Sequence, residues 1–203
     1  LERHDAADPG TVLSQLLTHP QTDVRRMAIQ GLGRAGPRAL ALLRRFLSDE
    51  DATLRRATYT ALAELLPEEA VEVWSRGSRD ADPAIRLWAV EQLVALPAGD
   101  EPNRALVKAA RDADRHVRAA AVQALVEREV ALPSLAREYR DTLADALIES
   151  AETRDARFQP AQLATLTGVV GRLKPYNFMG VLVQSAQHRS AVVRRAAADA
   201  ILS

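Results

Sequence analysis

The chain of 203 residues contains no cysteine. Disulfide bonds, thiolate catalysis and cysteine-based zinc sites are therefore excluded, while the redox compartment stays undetermined. Aromatic residues make up 4% of the chain although 47% is hydrophobic, so a core must be built from Ala, Leu and Val. No apolar run approaches the roughly 18 residues of a membrane span. We therefore expect no membrane insertion by this segment.

A net charge is also lacking, because 27 basic residues balance 27 acidic ones. The strong overall field of a nucleic-acid or anionic-membrane binder is thus absent, although a local patch is compatible with neutrality. Lys108 and Lys174 are the only lysines. Arginine suits bidentate pairing with carboxylates or phosphates, but a GC-rich genome would give the same bias.

One short motif recurs along the chain: an apolar residue, an arginine, and a small residue three positions after the arginine. These arginines, called the ladder arginines below, are Arg25, Arg55, Arg86, Arg118 and Arg194. The first four stand 30, 31 and 32 residues apart. A fixed period in this range is typical of a solenoid, in which each unit buries its apolar face against its neighbours.

Each motif predicts a second helix, since the apolar residues before the arginine and seven after it share one helical face. An aspartate precedes most of these helices, at Asp23, Asp51, Asp82 and Asp114, and aspartate is a favoured N-cap. First helices are predicted over residues 10–19, 38–48, 68–78 and 102–111. Because no alternating strand pattern appears, the sequence predicts an all-α array of helical hairpins.

The step from Arg118 to Arg194 is too long for one unit. We place a degenerate fifth unit there, with Gln162 in the arginine position, and an insertion of about 12 residues within 127–160. The insertion is expected to lengthen a helix over 134–152 and to form a loop around Arg154 to Gln159. A first helix after Pro175 and a second helix over 190–202 complete six hairpins. The prediction is one right-handed α-solenoid over residues 1–203.

The pattern Asp-x-x-[Val/Leu/Ile]-Arg-x-x-Ala followed by Ala-Leu or a close variant, seen from Asp51 to Leu62 and from Asp114 to Leu125, resembles the HEAT-repeat family. It is most similar to the short bacterial form first noticed in phycobilisome lyases. The resemblance implies a superhelix whose second helices line a concave groove. HEAT proteins serve as scaffolds, lyase subunits, nucleic-acid binders and regulators, so the resemblance alone does not select a function.

The ladder arginines are interpreted as structural. A cation in the first turn of a helix opposes the helix dipole and needs an offset, and Asp51, Asp82 and Asp114 are expected to pair with arginines of the adjacent unit. The two-residue aspartate doublets, such as Asp49 with Asp51, lack the glycine turn and terminal Glu of a calcium loop. Solvated caps explain them better.

Positions one and five after each ladder arginine lie away from the core and form our candidate partner-binding groove. Its main members are Arg26, Gln30, Arg56, Thr60, Leu87, Glu91, Gln123 and Arg195. The same spacing adds Ala119, Leu163, Thr167 and Asp199. This row is expected to be basic at each end and more apolar in the middle. A solvated face without a partner is the alternative.

Two further features stand out against the repeat. Trp88 occupies a position that is alanine or methionine in the other units, so it either packs against Trp74 in the core or forms a binding hot spot with it. The segment from Lys174 to Gly180 departs most from the repeat pattern and concentrates two aromatics and a methionine. It either packs the inserted helix or docks another domain.

No catalytic or cofactor-binding constellation emerges. The histidines, His4, His19, His116 and His188, show no metal-ligand spacing within a helix. The glycines from Gly31 to Gly36 follow a helix and not a strand, so they do not form a nucleotide loop. We expect a non-catalytic protein-binding scaffold that needs no cofactor. A protein partner or another domain of a larger parent protein would bind in the groove. The alternatives are a lyase- or chaperone-like subunit for a cofactor-bearing protein and weak nucleic-acid binding.

Overall fold

The computed structural model describes residues 9–152 and 156–203. Within those ranges the chain is helical and contains no strand. The helices are α1 (Pro9–Leu16), α2 (Thr22–Arg34), α3 (Leu40–Arg45), α4 (Ala52–Leu65), α5 (Ala70–Gly77), α6 (Pro83–Ala95), α7 (Asp100–Ala109), α8 (Arg115–Glu127), α9 (Ala136–Glu152), α10 (Pro160–Leu173), α11 (Phe178–Ala186) and α12 (Ala191–Leu202). Arg154, around which the sequence predicts a loop, lies outside the described residues.

First and second helices of hairpins alternate along this series, and every even-numbered helix is a second helix. Prolines open three of the first helices through short 3-10 turns at Pro37–Ala39, Pro67–Glu69 and Pro133–Leu135. Proline is tolerated there because its missing N–H has no helical acceptor in the first turn. The first helix predicted over 38–48 is shorter in the structure, because α3 ends at Arg45 and another 3-10 turn, Phe46–Ser48, follows it.

The chain forms two compact units, residues 1–89 and residues 90–203, called unit 1 and unit 2 below. In unit 1, α2 packs along α4, while α1 and α3 pack against these second helices. Small residues permit the close approach of α2 and α4. A Cβ added at Gly33 would lie 3.0 Å from both Cα and Cβ of Ala61. The alanine-rich composition is thus matched by closely spaced helices.

In unit 2, α10 packs against α12, α9 and α8. The buried Tyr139 of α9 donates its hydroxyl hydrogen to the carbonyl of Val130. Arg128, just after α8, donates from Nη2 to the carbonyls of Leu93 and Leu96, at 3.1 and 2.9 Å. It thereby satisfies carbonyls that the end of α6 leaves without helical donors. No helix in the described ranges combines the length and apolar character needed to cross a bilayer.

Candidate functional site

Each ladder arginine folds back over the turn that precedes its own helix. In all five, Nη1 donates to the carbonyl six residues earlier, at 2.7–3.0 Å; these carbonyls belong to His19, Asp49, Asp80, Asp112 and His188. Because these carbonyls lie where the first helix gives way to the second, the guanidinium ties the two helices of one hairpin together.

The aspartate doublets build the same turns from the other side. In the doublets at 49/51, 80/82 and 112/114, the first carboxylate accepts the N–H of the second aspartate at 2.8–2.9 Å. The second carboxylate accepts the N–H two residues further on, within the first helical turn, at 2.7–2.8 Å. This second contact is an N-cap, which satisfies an otherwise unpaired donor.

The ion pair between adjacent hairpins differs from the expected one. Arg55 contacts Asp80, at 2.7 Å from Nη2 to Oδ1 and 3.0 Å from Nε to Oδ2, whereas Asp82 caps α6. The first aspartate of the doublet is therefore the partner of Arg55, because the second is turned towards its own helix. Arg118 also pairs with the following hairpin, but its partner is Asp145, at 3.0 Å, which lies within α9 and belongs to no doublet.

The surroundings of Asp80 shift two pKa values. Burial alone would raise the pKa of Asp80, but hydrogen bonds from Arg55, the backbone of Asp82 and Tyr59, with the charge of Arg55, hold it below its usual value. Burial and the nearby Asp80 carboxylate raise the pKa of Tyr59, whose hydroxyl donates to Asp80 at 3.3 Å. Arg55, Tyr59 and Asp80 line a cavity of about 370 Å³, together with Arg76 and Arg79.

In the fifth hairpin, the predicted register is wrong by one residue. In four other second helices the N-cap is residue 21, 51, 114 or 190, and the ladder arginine lies four residues after it. Four residues after Gln159, the N-cap of α10, the chain has Leu163. Gln162 instead forms a capping box with Gln159 and donates to Glu127 of α8 at 2.5 Å. Leu163 and Thr167 are buried, so neither belongs to an exposed groove. An apolar residue in the arginine position hides the register from the sequence pattern.

The second helices of unit 1 carry a set of exposed or half-buried side chains at equivalent repeat positions, which we call the unit 1 face. It comprises Arg26, Met27, Gln30, Arg56, Thr60, Leu87 and Trp88. Arg26 is paired with Asp23 at 3.1 Å. Asp23 lies in the first turn of α2, whose N-cap is Gln21, so the prediction of Asp23 as an N-cap is wrong. Met27 is 64% exposed, a feature that the sequence pattern missed because Met27 shares its repeat position with the buried Ala57.

The two tryptophans are in contact within unit 1. Trp74 of α5 is 7% exposed, and its ring lies 5.0 Å from that of Trp88 at an interplanar angle of 83°, an edge-to-face arrangement. Trp88 itself is only half-buried. The guanidinium carbon of Arg56 lies over the Trp88 ring, 4.8 Å from its centroid. Trp74 is therefore a core residue, while Trp88 is shared between the core and the unit 1 face.

In unit 2, two of the predicted groove residues, Glu91 and Gln123, line an open cavity of about 510 Å³. Its walls also include Glu127, Glu149 and Arg157. Gln123 donates to Glu127 at 3.0 Å. The lining is therefore more charged than the apolar middle that we expected. Glu91 and Glu127 come from the second helices α6 and α8, α9 contributes Glu149, and Arg157 adds a basic group. Arg195 of α12 is exposed.

The segment from Lys174 to Gly180 joins α10 to α11 through two residues with positive φ, Lys174 at 42° and Asn177 at 58°. Tyr176 is 83% exposed, while its carbonyl accepts from Arg140 of α9. The backbone of the segment thus contacts the long helix α9, and the tyrosine ring faces solvent.

Within the described ranges, no group of three or more His, Asp or Glu side chains is arranged to hold a metal ion. His4 lies outside the described residues. His19 and His188 each accept a backbone N–H on Nδ1, from Gln21 and Ser190, as the aspartates do in other turns. These two histidines therefore take the structural position of the first aspartate of a doublet.

Comparison with known proteins agrees with this architecture. Residues 10–75 match the sequence profile of the family described as HEAT repeats. No curated protein sequence matches the chain significantly. Among solved structures, two engineered proteins superpose with TM-scores of 0.53 and 0.50, at 17% and 18% identity. These alignments cover 96% of this chain in both cases, and 97% and 95% of the other chains.

A designed armadillo repeat protein superposes with a TM-score of 0.49 at 17% identity, over 96% of this chain and 98% of its own. At such identities the similarity concerns the fold alone. The predicted fold class, an all-α helical repeat solenoid, and the HEAT resemblance are confirmed.

Proposed function

Starting from the HEAT-repeat match of residues 10–75, we propose that this protein is a non-catalytic protein-interaction scaffold. It binds a protein partner through the exposed face of its second helices. Helical repeat folds of this kind typically bind along extended surfaces instead of transforming a substrate in one pocket.

The observation that supports this proposal most directly is the composition of the unit 1 face. The guanidinium of Arg56 lies over Trp88, and Trp88 makes an edge-to-face contact with the buried Trp74. Met27, which takes the repeat position of Trp88 in α2, is exposed. Trp, Arg and Met are enriched where protein partners bind, because they provide large contact areas and directional donors. An exposed surface without a role would favour fully solvated side chains instead.

A charge-reversal experiment tests the proposal. A variant carrying Arg26→Glu, Arg56→Glu and Arg195→Glu changes three exposed or half-exposed positions on second helices. The matched control carries Arg38→Glu, Arg45→Glu and Arg104→Glu, three exposed arginines outside the second helices. Both variants change the net charge equally, so a general electrostatic effect would appear in both.

The readout is quantitative affinity purification from extracts of the source cells, after circular dichroism has shown that both variants retain their helix content. We expect that partner proteins are lost with the face variant and kept with the control. Equal recovery with both variants, or equal loss, would contradict binding through the second helices.

A further inference from the structure

Arg56 is held in an unusual way for an exposed arginine. Its guanidinium carbon lies 4.8 Å from the centroid of the Trp88 ring. That ring is fixed in turn by its edge-to-face contact with the buried Trp74. The attraction of a cation to an aromatic face restricts where the guanidinium can lie. Less side-chain freedom is therefore lost when Arg56 binds a ligand.

The preceding hairpin offers a comparison for this position. Arg26 takes the same place in α2, and its Nη2 and Nε donate to Asp23 at 3.1 and 3.4 Å. Asp23 stands three residues before Arg26. The residue three before Arg56 is Thr53, which supplies no carboxylate. Among the residues that the structure describes, none forms an ion pair with Arg56 or accepts a hydrogen bond from its guanidinium.

Arg56 therefore keeps its guanidinium donors available, beside an aromatic ring that is still half exposed. We propose that the unit 1 face binds an acidic segment of a partner protein. A carboxylate of that segment pairs with Arg56, and an adjacent apolar side chain packs against the exposed part of Trp88. This inference rests on the proposed function and specifies the chemistry of its partner.

Charge complementarity favours an acidic peptide over a nucleic acid. A polyanion gains its affinity from several phosphate contacts at once. On the unit 1 face, Arg26 is already neutralised by Asp23, and the side chains of Gln30, Thr60 and Leu87 carry no charge. A single available cation beside an aromatic ring suits one carboxylate with an apolar neighbour.

The test uses short synthetic peptides that contain Leu and Phe with an increasing number of Glu residues, each matched by a peptide with Gln in place of Glu. Binding is measured by fluorescence polarisation. We expect the wild-type protein to prefer a Glu peptide over its Gln counterpart by about tenfold, as one charge-assisted pair provides. Arg56→Gln should abolish this preference.

Two further variants separate a binding role from a folding role. Trp88→Ala should fold, because Ala57, Ala120 and Ala196 occupy this repeat position elsewhere, and should weaken binding of the Glu peptide severalfold. Arg38→Gln is the matched control. Arg38 is an exposed arginine of unit 1 outside the second helices, and no aromatic ring lies beneath it among the described residues. Its replacement should leave the preference for Glu intact.

Equal affinity for Glu and Gln peptides would overturn the inference, and so would the absence of any peptide binding at about 1 mM. Tighter binding of a single-stranded DNA oligonucleotide that also depends on Arg56 would replace the acidic peptide by a nucleic acid. If no peptide shows a Glu preference while the charge-reversed face still loses its partner proteins, the scaffold function stands and only the acidic chemistry fails. If the Glu preference is present but the charge-reversed face keeps its partner proteins, the scaffold function through the second helices is rejected.

Discussion

Replacing Asp80 by Asn tests how the hairpins of unit 1 are held together. Asp80 contacts Arg55 of the preceding hairpin at 2.7 and 3.0 Å, and the two side chains are only 3% and 11% exposed. Asparagine is nearly isosteric and keeps an oxygen that can accept the N–H of Asp82. The substitution therefore removes the charge of the carboxylate while the turn is preserved.

The expected loss follows from the burial of the pair. Removing one partner of a buried ion pair costs about 3–5 kcal/mol, because the other charge stays buried without compensation. Since one hydrogen bond to Arg55 can be retained by the Asn oxygen, we expect a loss of about 2–3 kcal/mol in the free energy of unfolding. Asp49→Asn is the control, because Asp49 has the same role in the turn of the preceding hairpin and no described arginine pairs with its carboxylate. It should cost less than about 0.5 kcal/mol.

The measurement is urea unfolding followed by tryptophan fluorescence, since Trp74 and Trp88 both lie in unit 1 with Asp80. A pH series adds a second check. The folded-state pKa of Asp80 is lowered, so its stabilising effect is complete above the carboxyl's ordinary pKa and is lost as the pH falls through the lowered value. The difference between wild type and Asp80→Asn should shrink in that acidic range.

Equal losses for Asp80→Asn and Asp49→Asn would refute this reasoning, because the turn and not the ion pair would then determine stability. A difference between wild type and Asp80→Asn that persists unchanged to low pH would refute the electrostatic origin.

Two other predictions concern unit 2. Gly171→Ala should destabilise the protein by more than about 1 kcal/mol in thermal unfolding, because a Cβ there would lie 2.5 Å from the Cβ of Ala200. Gly180→Ala, where an added Cβ meets nothing within 4 Å, should be neutral or stabilising by up to about 1 kcal/mol; similar effects of both would contradict the packing argument. His188 hydrogen-bonds Ser150 at 3.0 Å, and its pKa is lowered by burial first and then by the charges of two neighbouring arginines. Its contribution to stability should be complete above the ordinary histidine pKa of about 6.5 and be lost as the pH falls through the lowered value; an identical pH profile for His188→Gln would contradict this.

Much of the fold was predictable because it repeats. The recurring arginine and the apolar residue seven positions later locate five of the six second helices, and these spacings are local properties of an α-helix. The fifth second helix was shifted by one residue, since Leu163 replaces the arginine and Gln162 caps the helix. Where the signal residue is absent, the period alone cannot distinguish neighbouring registers.

The candidate site was predictable only as a row of positions. Spacing correctly indicated that Arg26 and Arg56 lie outside the core, but it treated the two as equivalent. Their difference depends on Asp23 in one case and on Trp88 in the other. The contact with Trp88 joins residues more than 30 positions apart, so no local pattern reports it.

Periodicity by itself determined that the chain folds as helical hairpins with arginine-bearing second helices, because helix formation and amphipathic faces are set by neighbouring residues. Tertiary structure alone decided which aspartate pairs with Arg55 and which arginine keeps its donors available. Those outcomes depend on the distances between helices, and such distances are set by packing, not by spacing along the chain.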